Sequence, residues 1–421
     1  MGKDDVVITG MGVATPLGHD LESVWSRLAS GSTAVRLLEP LQFGGARVQD
    51  FVPAEHVPAP RVLRTTNPQT VYALAAARRA WAHAGFAGVV SNIEPTRFGI
   101  YVGSGESEMR PEQFFPALEH SVDASGHFDL EAFATKGLEL VDPYLALLSL
   151  SNSALCYISV AHQLMGPNNT YVKSSVSSTQ ALGEAAWVIR HGYADAMMVV
   201  GSDALSDSLA MLGYDSIGLL CRAKESVETA MRPFDRQRSG FLPGEGAGAL
   251  ILERESAALR RGAKIFGRIL GFGQATDAQH LLELPPDGGE LKTAIESALS
   301  DAELTPDSVD FILADGIATV DGDASEAAAL ARAAGGGLRQ TPVSATKPIS
   351  GHLGAASGVV ESIHALLMMQ HALVPPVPNL REPSADLHFV SGRGLSRKLA
   401  VGLHVARGIG GQNAAILLGG A

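Results

Sequence analysis

The chain reads as a layered α/β fold built from two similar halves. Three observations predict this. Short apolar runs alternate with helical stretches along all 421 residues. The runs are apolar throughout, as in strands buried on both faces. One pattern, a glycine turn followed by a strand, occurs twice. The alternation implies helices packed on sheets rather than a bundle or a sandwich. With 46% hydrophobic residues the chain can bury a large core, as two domains or as one layered unit.

Residues 6–8, 98–102, 196–200, 249–252 and 309–313 are the expected strands. Asn67-Pro68 opens a helix that runs to Gly85, a cap residue followed by proline at the first helical position. A second helix covers 181–191 and stops at Gly192. A third, 358–373, is apolar almost all round and is therefore expected at the centre. The repeat pairs Gly246-Ala-Gly-Ala-Leu-Ile-Leu with Gly411-Gln-Asn-Ala-Ala-Ile-Leu-Leu. These segments close two halves, 1–253 and 254–421, and the absence of a low-complexity linker predicts a broad interface between them. Residues 105–150 break the strand rhythm and read as a cap inserted in the first half.

Composition excludes several classes. A net charge of −12 and a pI near 5.5 argue against nucleic-acid binding. The two cysteines, Cys156 and Cys221, imply no disulfide framework. The opening Met-Gly-Lys-Asp-Asp-Val-Val-Ile-Thr-Gly lacks a signal-peptide core, and runs such as 196–201 are too short to span a bilayer. A cytoplasmic protein without a membrane partner is expected. No metal-ligand cluster, phosphate loop or dinucleotide fingerprint is visible, so no metal and no cofactor are expected.

Four motifs carry a family resemblance. Arg232-Pro-Phe-Asp-Arg-Gln-Arg-Ser-Gly-Phe-Leu-Pro-Gly-Glu-Gly-Ala-Gly resembles a block of the β-ketoacyl-acyl-carrier-protein synthases. Val7-Ile-Thr-Gly-Met-Gly-Val-Ala-Thr-Pro-Leu-Gly resembles their first strand and turn, and Thr346-Lys347-Pro-Ile-Ser-Gly-His352-Leu their lysine–histidine motif. Gly408-Ile-Gly-Gly-Gln-Asn resembles their final glycine turn. The resemblance spans nearly the whole chain. It implies a thiolase-type fold: duplicated α/β halves, five alternating layers and a dimer. It also implies a cysteine that accepts an acyl chain and two histidines that polarise a malonyl thioester as it decarboxylates and attacks.

Carried over residue by residue, that chemistry is incomplete. The nucleophile is expected at a strand-to-helix elbow, eight residues after the proline of Gly166-Pro167 and eight before Gly183; both counts reach Ser175. A helix N-terminus can generate a thiolate, whereas a serine hydroxyl needs a dedicated base. The first histidine belongs to a motif whose later acids are matched by Asp323 and Glu326, which places Asp315 at the histidine position. The second histidine, His352, and Lys347 are retained, and Glu361 follows the lysine by fourteen residues. A Lys–Glu–His network of this kind can serve the chemistry or simply hold the core. At the family's phenylalanine gate stands Ile409, preceded by Ala406-Arg407-Gly408.

This last stretch resembles the chain-length factors of bacterial type II polyketide synthases, which pair with a catalytic ketosynthase and lack its cysteine. Two departures stand against that branch: serine rather than glutamine at the nucleophile position, and a retained His352. The resemblance implies a heterodimer with a catalytic ketosynthase, and acyl carrier protein as a partner of the complex. Strand 170–173 would then pair across the dimer axis, with Glu106, Met109, Phe114 and Phe115 bordering the acyl tunnel and Arg61 and Arg64 as carrier contacts. The alternative is an enzyme, a serine-dependent acyltransferase or starter-unit decarboxylase using Ser175 and His352.

Overall fold

The computed structural model describes residues 5–39, 42–86, 93–105, 111–222 and 226–421. Its centre is a ten-stranded sheet. In chain order the strands are β1 (Val6–Ala14), β2 (Phe98–Ser104), β3 (Asn168–Tyr171), β4 (Ala196–Ala204) and β5 (Glu245–Arg254), then β6 (Gly267–Thr276), β7 (Phe311–Leu313), β8 (Val343–Ser344), β9 (Val401–Arg407) and β10 (Gln412–Gly419). The main helices are α1 (Leu21–Ser30), α2 (Pro68–His83), α3 (Pro111–His120), α4 (Ser153–His162), α5 (Ser177–Arg190), α6 (Ser208–Ser216), α7 (Leu291–Ala302), α8 (Val320–Arg332) and α9 (Ser357–Gln370).

The strand order shows the duplication directly. One set runs β1-β5-β4-β2-β3 and the other β6-β10-β9-β7-β8, so each strand corresponds to the one five places later. The senses match as well: the first two pairings of each set are antiparallel and the last two parallel. The sets join through a short antiparallel contact in which Val6, Val7 and Ile8 face Ile269, Arg268 and Gly267. The two glycine-turn segments seen in the sequence are the equivalent strands β5 and β10.

Close backbone contact builds the layers. A side chain at Gly12 of β1 would meet the Ala76 carbonyl of α2 at 2.2 Å, and one at Gly273 of β6 would meet the Ala294 carbonyl of α7 at 2.1 Å. The same glycine device thus seats the outer helix on each half. Between the half-sheets lie α5 and α9. The helices touch where Gly358 approaches Thr179, and α5 meets β6 where Gly183 lies against the Phe272 ring. Helix, half-sheet, helix pair, half-sheet and helix make five layers, with α2 and α7 outermost. All but the last residue of α9 are buried, as its uniform apolarity predicts.

Boundaries shift modestly from expectation. α5 begins at Ser177, four residues before the expected 181, because Ser177 Oγ binds the Lys173 N–H at 2.8 Å and starts the turn. α9 ends at Gln370, since residue 373 is taken into a two-residue strand. Among the described residues no helix is long and apolar enough to cross a membrane. Both cysteines are free.

Candidate active site

Two equivalent connections meet at one cavity. Ser175 lies between β3 and α5, and His352 lies between β8 and α9, so the two face each other from corresponding places in the two halves. Ser175 Oγ and His352 Nε2 are 2.9 Å apart and both residues are buried. Ser174 carries the turn with φ of +54°, a left-handed conformation costly for a non-glycine residue. The Arg-Pro-Phe-Asp block supplies the floor beneath the histidine. The His352 N–H donates to the Leu242 carbonyl at 2.7 Å, and the Phe241 ring meets the imidazole edge-on at 5.0 Å. Burial and the Lys347 charge push the His352 pKa down to about 3, against a partial counter-effect from Asp315. The ring is neutral at physiological pH.

The opposite wall is ionic. Lys347 Nζ binds Asp315 Oδ1 at 3.0 Å, the Asp315 carbonyl at 2.6 Å and Glu361 at 3.0 Å. Burial alone would raise the Asp315 carboxyl, but the charge of Lys347 and its hydrogen bond hold it below the usual range. For Lys347, burial opposes the charge while Asp315 and Glu361 more than offset it, so its pKa is raised. The sequence suggested a network of Lys347, Glu361 and His352. The histidine in that network is instead His404 of β9, whose Nε2 lies 3.2 Å from Glu361 Oε2. His352 turns away toward Ser175.

Asp323 and Glu326 support the loop that carries Asp315. Glu326 accepts the N–H groups of Asp315 and Gly316 at 2.7 and 2.9 Å. Asp323 accepts those of Phe234 and Ala318 at 2.6 and 2.9 Å, tying the loop to the Arg-Pro-Phe-Asp block. Burial pushes the two carboxyls up to about 8 and about 7 respectively.

Arg407 closes the end of β9. Its Nε binds Asn413 Oδ1 at 3.0 Å and its Nη2 binds Asp277 Oδ2 at 3.2 Å, while Nη1 has no hydrogen-bond partner. Ile409 sits in the following glycine turn and lines both the cavity beside Ser175, of about 330 Å³, and an adjoining one of about 600 Å³.

The eight site residues named from sequence thus gather around one cavity and its supports, although Ser175–His352 and Asp315–Lys347–Glu361 form separate groups. Sequence reasoning missed His404 and Asp277, which belong to no motif. Neither Cys156, exposed on α4, nor Cys221, 3.1 Å from Ser239 Oγ, lines the cavity of Ser175. Of the tunnel residues expected from the cap, Phe114 packs against Phe133 and Phe115 is half exposed; neither lines the two cavities. Those walls come from α6 and from Leu281 instead. Glu106 and Met109 lie outside the described residues. Arg61 and Arg64 are exposed on a short turn over Pro60–Thr65.

Comparison with known proteins agrees with this geometry. The β-ketoacyl synthase N-terminal domain matches residues 3–258 and the C-terminal domain residues 266–381. The chain is 31% identical to 3-oxoacyl-[acyl-carrier-protein] synthase 2 of Coxiella burnetii, over 99% of each chain. Among solved structures, a β-ketoacyl synthase from Burkholderia phymatum is similar with a TM-score of 0.87 at 27% identity, covering 99% of this chain and all of the other. The ishigamide ketosynthase/chain length factor is similar with a TM-score of 0.86 at 28% identity, covering both chains fully. The chain belongs to the β-ketoacyl synthase family.

Proposed function

We propose that the chain is the non-condensing, chain-length-factor-like subunit of a heterodimeric β-ketoacyl synthase acting in type II polyketide synthesis. One observation carries this: the group at the first histidine position is Asp315, a carboxylate kept ionised by Lys347. Condensation develops negative charge on an enolate oxygen, which needs a hydrogen-bond donor at that place. An ionised carboxylate donates nothing and repels the charge. Ser175 adds a second deficit, because the helix terminus that would ionise a thiol cannot ionise a hydroxyl.

The partner would supply the thiolate and both histidines. A surface suited to such a partner surrounds β3, an edge strand of the sheet: Leu150, Val160, Met165 and Val172 are exposed there, Val160 by 81%. Apolar residues of that size left open by one chain mark an interaction face. An acidic carrier protein would dock on the partner rather than on this chain of net charge −12. The likeness to the ishigamide ketosynthase/chain length factor supports the reading, although the named relatives include condensing synthases.

The test is co-expression with a cysteine-bearing homologue. A one-to-one complex is expected, with chain extension abolished by replacing the partner's cysteine. A soluble homodimer of this chain, with no affinity for such a homologue, would contradict the proposal.

A further inference from the structure

Loss of condensation leaves a different chemistry standing. Ser175 Oγ and His352 Nε2 are within hydrogen-bond distance in a buried cavity, the arrangement of a nucleophile and its base. For Nε2 to accept the serine proton, the ring hydrogen must sit on Nδ1, where Ser357 Oγ lies at 3.4 Å. The same cavity has an acidic lining. Glu283 and Asp321 line it without a counter-ion among its lining residues, because the Lys347 charge is taken by Asp315 and Glu361 and the Arg407 guanidinium is neutralised by Asp277. With His352 neutral, an incoming carboxylate meets excess negative charge and no free counter-ion.

We infer that this cavity is an acyl-transfer site that loads uncharged acyl groups from thioesters onto Ser175, with His352 as base, and rejects malonyl-type acyl groups. Ser175 Oγ forms a bond to the thioester carbonyl carbon as its proton passes to His352 Nε2. The carbon–sulfur bond then breaks, and the departing sulfur takes that proton, leaving a Ser175 ester and a free thiol. An oxygen ester is lower in energy than a thioester, so loading is downhill. The inference adds an activity to the non-condensing reading and does not rest on it.

The experiment is incubation of the purified full chain with octanoyl- or malonyl-N-acetylcysteamine, followed by intact mass and peptide mapping. An octanoyl adduct is expected on Ser175, with malonyl loading lower by roughly tenfold or more, a repulsion of the size expected between like charges in a partly buried site. Ser175→Ala and His352→Asn should each remove the adduct. Asp321→Asn combined with Glu283→Gln should narrow the gap between the two probes. Because His352 stays neutral down to about pH 3, the loading rate should not fall between pH 7 and 5. No adduct on Ser175, equal loading of both probes, or a rate falling with a midpoint near 6.5 would each overturn the inference. Absence of the adduct would leave the non-condensing reading untouched, since that reading is judged by extension.

Discussion

The two walls of the cavity solve burial in opposite ways. On one side, Asp315, Lys347 and Glu361 form a chain of charge, with His404 hydrogen-bonded to Glu361 at its end. On the other, Ser175 and His352 share one hydrogen bond between neutral groups. A buried ion cluster is costly to break at a single point, because the remaining charges lose their partners without regaining water. A neutral pair surrenders little when one member goes. The ionic wall is therefore a structural commitment, while the neutral wall can change its chemistry without endangering the fold. On the proposed reading, Asp315 entered the ionic wall as a further charge held by Lys347, while Ser175 changed the neutral wall without stranding any charge.

The largest effect should come from the ionic wall. Lys347→Met is expected to cost about 3–5 kcal/mol in denaturant unfolding, by stranding two buried carboxylates. Adding Asp315→Asn should recover part of that loss, since one stranded charge then disappears. If Lys347→Met unfolds like the parent, the wall is not held together by charge and the contrast fails.

Glu326 gives an intermediate test through pH. Its carboxyl, ordinarily near 4.5, is raised to about 8 by burial, so the folded chain holds a proton that the unfolded chain releases. Its contribution is present in acid and is lost as pH rises from about 4.5 to about 8. His352 works in the reverse sense: with its pKa lowered from 6.5 to about 3, its contribution is lost as pH falls through that interval. Between pH 6.5 and 8 the decline in thermal stability should come from the raised carboxyls alone. Glu326→Gln should flatten that decline, and an unchanged slope would show that this carboxyl is ionised throughout. The smallest effect belongs to the neutral wall, where Ser175→Ala should shift stability by about 1 kcal/mol or less, read from the same denaturant curves.

Much of this was legible in the chain itself. Strands buried on both faces appear as short apolar runs, so β2, β4 and β5 could be read directly. Ser175 and Asp315 were reached by counting from glycines, a proline and acids whose roles are local. His404 was not legible, because it sits inside the apolar β9 and meets Glu361 across 43 residues of sequence. Asp277 meets Arg407 across 130 residues and has no flanking signal. The joining of the two half-sheets through β1 and β6 was hidden for the same reason, being a pairing between segments some 260 residues apart. Local turn chemistry and periodicity are written in sequence, whereas long-range partners emerge only when the layers close.

The central claim, that Asp315 and Ser175 together leave this chain unable to condense, is tested most directly with the purified chain alone. It would be given an acyl primer and malonyl-carrier protein, and the products weighed by mass spectrometry. No species longer by two carbons is predicted at any pH at which the fold survives. A primer extended by this polypeptide without a partner would contradict the account.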